Sequence, residues 1–146
     1  MNKKILIIED ELYIREMYTF ALKQHGYDVI AAVNGPQGLE KVKDTPDLIL
    51  LDIMMPKMNG LDVLKILKSQ EETKHIPVVL ITNLAEKTVI QQAFAEGAQG
   101  YVLKVRFDPA QLIDFIQNYL NHIRICEILR VDDRPNHVGI LKVFIF

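Results

Sequence analysis

The stretch Pro46-Asp-Leu-Ile-Leu-Leu-Asp52 carries four consecutive apolar residues between a proline-led turn and a closing aspartate. Comparable apolar runs recur along the chain at Lys4–Ile8, Val29–Val33, Val78–Ile81 and Tyr101–Leu103. Most are nearly continuous in Ile, Leu and Val, without the alternation of polar and apolar residues seen in strands that face water on one side. The runs predict five strands, and the pattern of most of them suits strands buried on both faces, as the strands of a parallel sheet are.

Segments with the spacing of amphipathic helices lie between the apolar runs. The predicted helices are Glu11–His25, Gly38–Lys43, Leu61–Gln70, Glu86–Glu96 and Pro109–Leu120. Glycines that directly follow the first and fourth segments act as helix stops, and Pro109 suits the first turn of the fifth. Five strand–helix units in about 120 residues predict an α/β fold, a doubly wound parallel sheet with right-handed crossovers.

The composition narrows the class of protein. The 146 residues are 49% hydrophobic, which suits one folded domain, and 17 basic residues balance 19 acidic ones, so no direct nucleic-acid binding is expected. The single cysteine, Cys126, forms no intrachain disulfide and fits a reducing compartment. The apolar runs are shorter than the roughly 7–15 residues of a signal-peptide core and the roughly 18 of a membrane span. We therefore expect a cytoplasmic protein without a membrane segment.

Polar side chains follow the apolar runs where the predicted strands end. Glu9 and Asp10 follow the first run, Asp52 closes the third, Thr82 follows the fourth and Lys104 the fifth. Sheets of this kind place their sites outside the carboxyl ends of the strands, so these side chains are expected to meet. Carboxylates brought together repel one another unless a cation joins them, and oxygen ligands suit Mg²⁺. The sequence therefore predicts a magnesium site.

A simpler interpretation exists for one member of this set. Asp10 stands directly before the first predicted helix and is a residue type that commonly caps helix N-termini. Capping would explain Asp10, but it would leave Glu9, Asp52 and Lys104 without a role. We therefore favour a shared site over capping alone.

The combination of groups indicates a class of chemistry. A carboxylate nucleophile, a hard cation, a hydroxyl and a lysine around one point suit phosphoryl transfer. The sequence lacks a Walker-type glycine loop, and no dinucleotide-binding glycine motif follows the first strand. The phosphoryl group is therefore expected to arrive on another molecule.

Five motifs in order make the chain resemble the receiver domains of two-component response regulators, from Lys3 to about Leu120. They are Ile5-Leu-Ile-Ile-Glu-Asp-Glu11, Pro46-Asp-Leu-Ile-Leu-Leu-Asp52, Met55-Pro-Lys-Met-Asn-Gly60, Pro77-Val-Val-Leu-Ile-Thr82 and Gly97-Ala-Gln-Gly-Tyr-Val-Leu-Lys104. Each motif is weak alone, whereas all five at the family's spacing are specific. The resemblance implies a flavodoxin-like five-stranded sheet of order 2-1-3-4-5 with helices on both faces, and a receiver domain over residues 1–121.

The resemblance also implies a metal and phosphoacceptor set. Asp52 matches the family's phosphoacceptor, and Glu9 and Asp10 match the acidic pair that binds Mg²⁺. Met54, two residues past Asp52, would contribute its backbone carbonyl to the metal. Its side chain is then free to vary.

The remaining matched residues concern the phosphoryl group and the switch. Thr82 matches the hydroxyl that bonds a phosphoryl oxygen and moves on activation, and Lys104 matches the amine that pairs with the phosphoryl group. Tyr101 matches the aromatic residue whose ring turns inward when the threonine moves. The surface that changes would be formed by the fourth helix, fifth strand and fifth helix.

The partners implied by the resemblance are a histidine kinase or phosphotransfer protein upstream and an effector domain or protein downstream, with a homodimer as a further possibility. The domain would act as a phosphoacceptor switch and not as an enzyme, apart from self-phosphorylation by small donors and slow self-dephosphorylation.

Three alternative functions remain. The first is a haloacid-dehalogenase-type phosphatase, which needs a second aspartate where Met54 stands. The second is a flavodoxin-like protein that binds FMN, but Glu9-Asp-Glu11 would repel the phosphate of FMN. The third is a receiver-type interaction module that works without phosphorylation.

Two positions depart from the family pattern. Val105 follows Lys104 where the family has proline, so a cis peptide is not expected there, and the loop to Pro109 is one residue longer than usual. Asn83 follows Thr82 where a small Ala or Gly is more common. A larger polar group at the mouth of the site predicts an altered phosphoryl lifetime.

Residues 122–146 lie beyond the family's domain. Ile128-Leu-Arg-Val-Asp-Asp-Arg-Pro-Asn136 aligns with Ile5-Leu-Ile-Ile-Glu-Asp-Glu-Leu-Tyr13, including the acidic pair. This predicts the start of a second receiver domain, cut short at Phe146. A surface turn followed by a packing segment, or a continuation of the fifth helix as a linker, are the other interpretations.

Overall fold

The computed structural model describes residues 2–84, 86–104 and 108–120. Within these residues each strand is followed by an α-helix, as the hydrophobic pattern predicts. In chain order they are β1 (Lys4–Ile8), α1 (Leu12–Gln24), β2 (Asp28–Ala32), α2 (Gly35–Lys41), a short 3₁₀ turn (Val42–Asp44), β3 (Leu48–Leu51), α3 (Gly60–Ser69), β4 (Val78–Thr82), α4 (Lys87–Ala95), β5 (Gly100–Leu103) and α5 (Pro109–Leu120).

The five strands form one parallel sheet in the order β2-β1-β3-β4-β5, which confirms the predicted topology. Successive residues along β1 pack on opposite faces of the sheet. Leu6 and Ile8 join the core beneath α2, α3 and α4, whereas Ile5 and Ile7 join the core beneath α1 and α5. Because helices cover both faces, the central strands have no polar face, and this explains their nearly continuous apolar runs.

Strand β2 departs from this pattern because it lies at an edge of the sheet. It begins and ends one residue earlier than predicted, since the Asp28 amide donates to the Lys3 carbonyl while the Val33 amide bonds the Gln37 side chain. Its first residue is exposed and its middle is half-buried. Burial on both faces, which the pattern predicts for most of the strands, does not extend to β2.

Helix ends differ from the prediction where caps were missed. Helix α2 starts three residues early, at Gly35, because the Asn34 side chain accepts from the Gln37 amide (2.8 Å). Asn59 likewise caps α3 through the Asp62 amide. The N-cap residue of α1 is Glu11, without a side-chain cap bond, so the interpretation of Asp10 as the cap is wrong.

Three features of the sequence fall outside the described residues. They are the loop 105–107, the predicted domain boundary at 121 and the possible second receiver motif in residues 122–146. The α5 bounds, which lie inside the described part, match the prediction. No helix among the described residues is long and apolar enough to cross a membrane.

Gly60 fixes the loop that follows β3. Its amide donates to the Ile53 carbonyl (2.8 Å), which brings the start of α3 against the end of β3. A Cβ at this position would lie 2.2 Å from the Asp52 carbonyl oxygen and 2.7 Å from the Ile53 Cα. Because both obstacles are backbone atoms, no side-chain rotation relieves the clash.

We predict that Gly60→Ala lowers the free energy of unfolding more than Gly26→Ala does. At Gly26 a Cβ meets nothing within 4 Å, so only the positive φ of 85° is strained, at a cost of about 1–2 kcal/mol. At Gly60 the backbone of the β3–α3 loop must move as well. Urea unfolding of both variants measures the difference, and equal losses would contradict this account.

Candidate functional site

Five side chains that the sequence singled out converge at the carboxyl edge of the sheet. Strands β1 and β3 are neighbours with Ile8 opposite Leu51, so the residues that follow them, Glu9 and Asp52, are adjacent. Carboxylate oxygens of Glu9, Asp10 and Asp52 lie within 4.8 Å of one another. Thr82 ends β4 and Lys104 follows β5, both at the same edge. The predicted meeting of these residues is what the parallel register produces.

An open cavity of about 360 Å³ lies in front of these groups. Its lining consists of Asp10, Glu11, Asp52, Met54, Thr82, Asn83 and Lys104. Asp10 is exposed at this mouth, whereas Glu9 and Asp52 are almost fully buried behind it. The cavity therefore gives solvent and small solutes access to carboxylates that the fold otherwise encloses.

Lys104 holds the two buried carboxylates together. Its Nζ lies 2.6 Å from Glu9 Oε2 and 2.9 Å from Asp52 Oδ2, and all three side chains are at least nine-tenths buried. With Asp10 included, three carboxylates face one ammonium. This excess of negative charge, with clustered oxygen ligands open to a cavity, fits a hard divalent cation such as Mg²⁺.

Burial sets the protonation of this pair. Desolvation raises the pKa of Glu9 to about 7, and the charge of Asp52 acts in the same direction, while hydrogen bonds from Lys104 and the Glu11 amide oppose it. Burial alone would lower the pKa of Lys104, but its hydrogen bonds to Glu9 and Asp52 prevail and raise it. Lys104 is therefore a fixed cation, and Glu9 is the group that titrates near neutrality.

Asp52 is oriented by its own loop. Its Oδ1 accepts from the Met54 amide (3.2 Å), while Oδ2 faces Lys104. Met54 itself is 60% exposed at the rim of the cavity, so its side chain takes no part in the core. Each oxygen of Asp52 thus has a hydrogen-bond partner that fixes the orientation of the carboxylate beside the cavity.

Thr82 and Tyr101 are connected through the backbone of one residue, Leu84. The Leu84 amide donates to Thr82 Oγ1 (3.3 Å), and the Leu84 carbonyl accepts from the Tyr101 hydroxyl. Both Thr82 and the Tyr101 ring are fully buried, so the ring is in the inward position. Burial, followed by the charges of Asp52 and Glu86, raises the pKa of the Tyr101 hydroxyl, which therefore stays a donor.

Sequence reasoning missed two contributors to the site. Arg15, half-buried on α1, donates from Nη1 to the carbonyls of Glu9 (2.8 Å) and Asp10 (3.2 Å). Leu84 contributes only its backbone, which no side-chain pattern reveals. For Arg15 a signal was present: a cation in the second turn of a helix that begins just after an acidic pair.

Comparison with known proteins identifies a common family. The model of the response regulator receiver domain matches residues 5–117. The phosphate regulon transcriptional regulatory protein PhoB of Klebsiella pneumoniae is 36% identical over 124 residues, covering 84% of this chain and 54% of that protein. The DNA-binding response regulator MtrA of Mycolicibacterium smegmatis is 32% identical over 146 residues, covering 98% and 62%. The chain spans about half the length of the curated relatives that it matches.

Solved structures show the same fold. The chemotaxis protein CheY4 of Vibrio cholerae superposes with a TM-score of 0.76 at 30% identity, covering 81% of this chain and 98% of that one. A CheY-like receiver domain protein from Methanospirillum hungatei gives a TM-score of 0.77 at 26% identity, covering 83% and 95%. Both likenesses extend over nearly the whole of the other chain, so they concern a complete domain.

We predict that, with divalent cations chelated, the stability of the protein falls as pH rises toward 8. The pKa of Glu9 in the folded state, about 7, lies above its ordinary value of 4.5. Its contribution to stability is therefore full below about 4.5 and is lost as pH rises through about 7. Urea unfolding from pH 5 to 8 measures this slope.

The matched comparison is Glu9→Gln against Glu16→Gln, an exposed glutamate on α1. The slope should flatten in the first variant and persist in the second. An unchanged slope in Glu9→Gln would show that another group titrates.

Proposed function

Because the chain belongs to the family of response regulator receiver domains, we propose that Asp52 is its phosphoacceptor. Switching by phosphorylation is the standard function of this family. The observation that carries the assignment is the position of the Asp52 carboxylate, between the Lys104 ammonium at 2.9 Å and an open cavity with a second acidic residue, Asp10, on its wall. A nucleophile in this position meets a small phosphodonor from the solvent side.

The chemistry follows from the groups that line the cavity. A carboxylate oxygen of Asp52 attacks phosphorus, a new oxygen–phosphorus bond forms, and the bond from phosphorus to the donor's leaving group breaks. Lys104 is placed to donate to a phosphoryl oxygen, and the Thr82 hydroxyl to donate to another. Asp10, Glu9 and Asp52 would hold Mg²⁺ with the Met54 backbone carbonyl, and this ion supplies charge neutralisation at the phosphoryl oxygens when bound.

The hydrogen bonds of Leu84 connect this chemistry to a surface. The phosphoryl group carries about 1.5 to 2 negative charges and three acceptor oxygens beside Thr82 and Lys104, and these replace the single charge of the Asp52 carboxylate. A Thr82 hydroxyl that turns toward these oxygens changes its bond with the Leu84 amide, and the Leu84 carbonyl is the acceptor of Tyr101. The α4-β5-α5 surface around Tyr101 is therefore the proposed readout, by selection between two arrangements.

Receiver domains of response regulators work with histidine kinases and effector domains. For this chain we propose a histidine kinase or phosphotransfer protein as the donor, an effector domain or protein as the target of α4-β5-α5, and a homodimer as one form of output. Family members are generally not classical enzymes. Self-phosphorylation by small donors and slow self-dephosphorylation are the activities proposed for the isolated protein.

We predict that incubation with Mg²⁺ and acetyl phosphate adds one phosphoryl group to the wild-type protein and none to Asp52→Asn. The reason is that the amide of asparagine is a far weaker nucleophile than a carboxylate. Intact mass spectrometry measures the adduct, and chelation of Mg²⁺ should suppress it in the wild type.

The control is Asp114→Asn, which removes an exposed aspartate from α5, away from the cavity, and should leave the adduct unchanged. An adduct that persists in Asp52→Asn would overturn the assignment of the acceptor. No adduct on the wild type would favour the phosphorylation-independent interaction module instead.

We predict that Asn83→Ala shortens the lifetime of the phosphorylated protein a few fold. Asn83 is exposed and lines the mouth of the cavity directly after Thr82, so a smaller side chain admits water more easily. The measurement is the decay of the phosphorylated mass after removal of acetyl phosphate. Gln91→Ala, an exposed amide on α4 outside the cavity, is the matched control, and an unchanged decay in Asn83→Ala would refute the idea.

A further inference from the structure

One side chain outside the cavity bonds the backbone of the first two of the three acidic residues in the β1–α1 loop, Glu9 and Asp10. The Arg15 Nη1 atom donates to the Glu9 carbonyl oxygen at 2.8 Å and to the Asp10 carbonyl oxygen at 3.2 Å. Arg15 itself is held by α1, where its amide donates to the Glu11 carbonyl. The guanidinium therefore links the first turns of the helix to Glu9 and Asp10, which precede its N-cap residue.

The two acidic side chains depend on this link to different degrees. Glu9 has further contacts, because its carboxylate bonds Lys104 and the Glu11 amide and its own amide donates to the Ala32 carbonyl. The Asp10 carboxylate is exposed and makes no hydrogen bond or ion pair with any residue that the structure describes. Its direction is therefore set by its backbone, and Arg15 is the side chain that bonds that backbone.

We propose that Arg15 is a positioning residue for cation binding, which it serves by fixing the backbone beneath Asp10. The proposal rests on the assignment of Glu9, Asp10 and Asp52 as the Mg²⁺ site. Groups that orient a metal ligand from behind commonly change metal affinity by about 10- to 100-fold when they are removed. Loss of the two Arg15 hydrogen bonds frees the Asp10 carboxylate to turn toward solvent.

Charge and positioning predict opposite effects at this residue. Arg15 carries a positive charge close to the acidic cluster, so its removal through charge alone would tighten the binding of a divalent cation. Its removal as a positioning group would weaken the same binding. The direction of the change therefore separates the two roles without reference to its size.

The test uses the full chain with Arg15→Met, which keeps an unbranched apolar side chain and loses both hydrogen bonds to the Glu9 and Asp10 carbonyls. We expect its Mg²⁺ affinity, measured by isothermal titration calorimetry, to fall about 10-fold. We also expect faster hydrogen exchange of the Glu11 amide in the metal-free protein, because the loop that it closes is looser. This second readout needs neither metal nor phosphodonor.

Lys23→Met is the matched control. Lys23 lies two turns farther along α1, beside the same surface groove as Arg15, and makes no hydrogen bond to the acidic loop. It loses the same charge and should leave Mg²⁺ affinity and Glu11 exchange close to wild type. Arg15→Lys restores the charge and part of the hydrogen bonding, and it should recover part of the affinity.

Each outcome of these measurements tests either the positioning role of Arg15 or the proposed function. Unchanged or tighter Mg²⁺ binding by Arg15→Met, with a wild type that binds Mg²⁺ and accepts phosphate, would overturn the positioning role alone. A wild type that neither binds Mg²⁺ nor accepts phosphate would overturn the proposed function instead. If Arg15→Met does not fold, Arg15→Lys carries the test: wild-type Mg²⁺ affinity and wild-type Glu11 exchange in that variant would count against the proposal.

Discussion

Two buried carboxylates that share one buried ammonium are the interaction on which the rest of the site depends. Glu9 and Asp52 follow neighbouring parallel strands, so the register of the sheet fixes them next to each other. Lys104 compensates for one of the two charges, and the remaining negative charge is open to the cavity. The fold therefore holds an excess of negative charge that a cation or a proton relieves. Burial, with the charge of Asp52 acting in the same direction, raises the pKa of Glu9 and favours the proton there.

The fold was predictable because its main signals are local in the sequence. Continuous apolar runs such as Leu48–Leu51 mark strands covered on both faces, and the alternation of strands and helices fixes a parallel sheet. Once the sheet is parallel, every strand ends at the same edge, so the convergence of Glu9, Asp52, Thr82 and Lys104 follows. The family resemblance added the strand order, which the pattern of runs does not determine.

The features that the sequence did not reveal depend on contacts between segments or on backbone groups. Lys41 of α2 bonds a backbone carbonyl of the edge strand β2, and Gln37 bonds the amide of the residue after it. The predicted strand order places β2 at an edge, but no sequence pattern shows which side chains bond its backbone. Arg15 acts on carbonyl oxygens, which every residue has, so its partners carry no signature. The same is true of the backbone amide and carbonyl of Leu84. Such contacts are identified only in a three-dimensional structure.

The connection through Leu84 has a consequence for how such a domain changes over evolutionary time. The link from Thr82 to Tyr101 uses the amide and carbonyl of residue 84 and none of its side chain. Replacement of Leu84 by any residue that keeps an amide hydrogen preserves the donor and the acceptor. The side chain is half-buried and packed against the core beneath α4, so only this packing limits which residues fit there with both hydrogen bonds kept. The side chain at residue 84 can therefore vary while the hydrogen bonds that connect Thr82 and Tyr101 are kept.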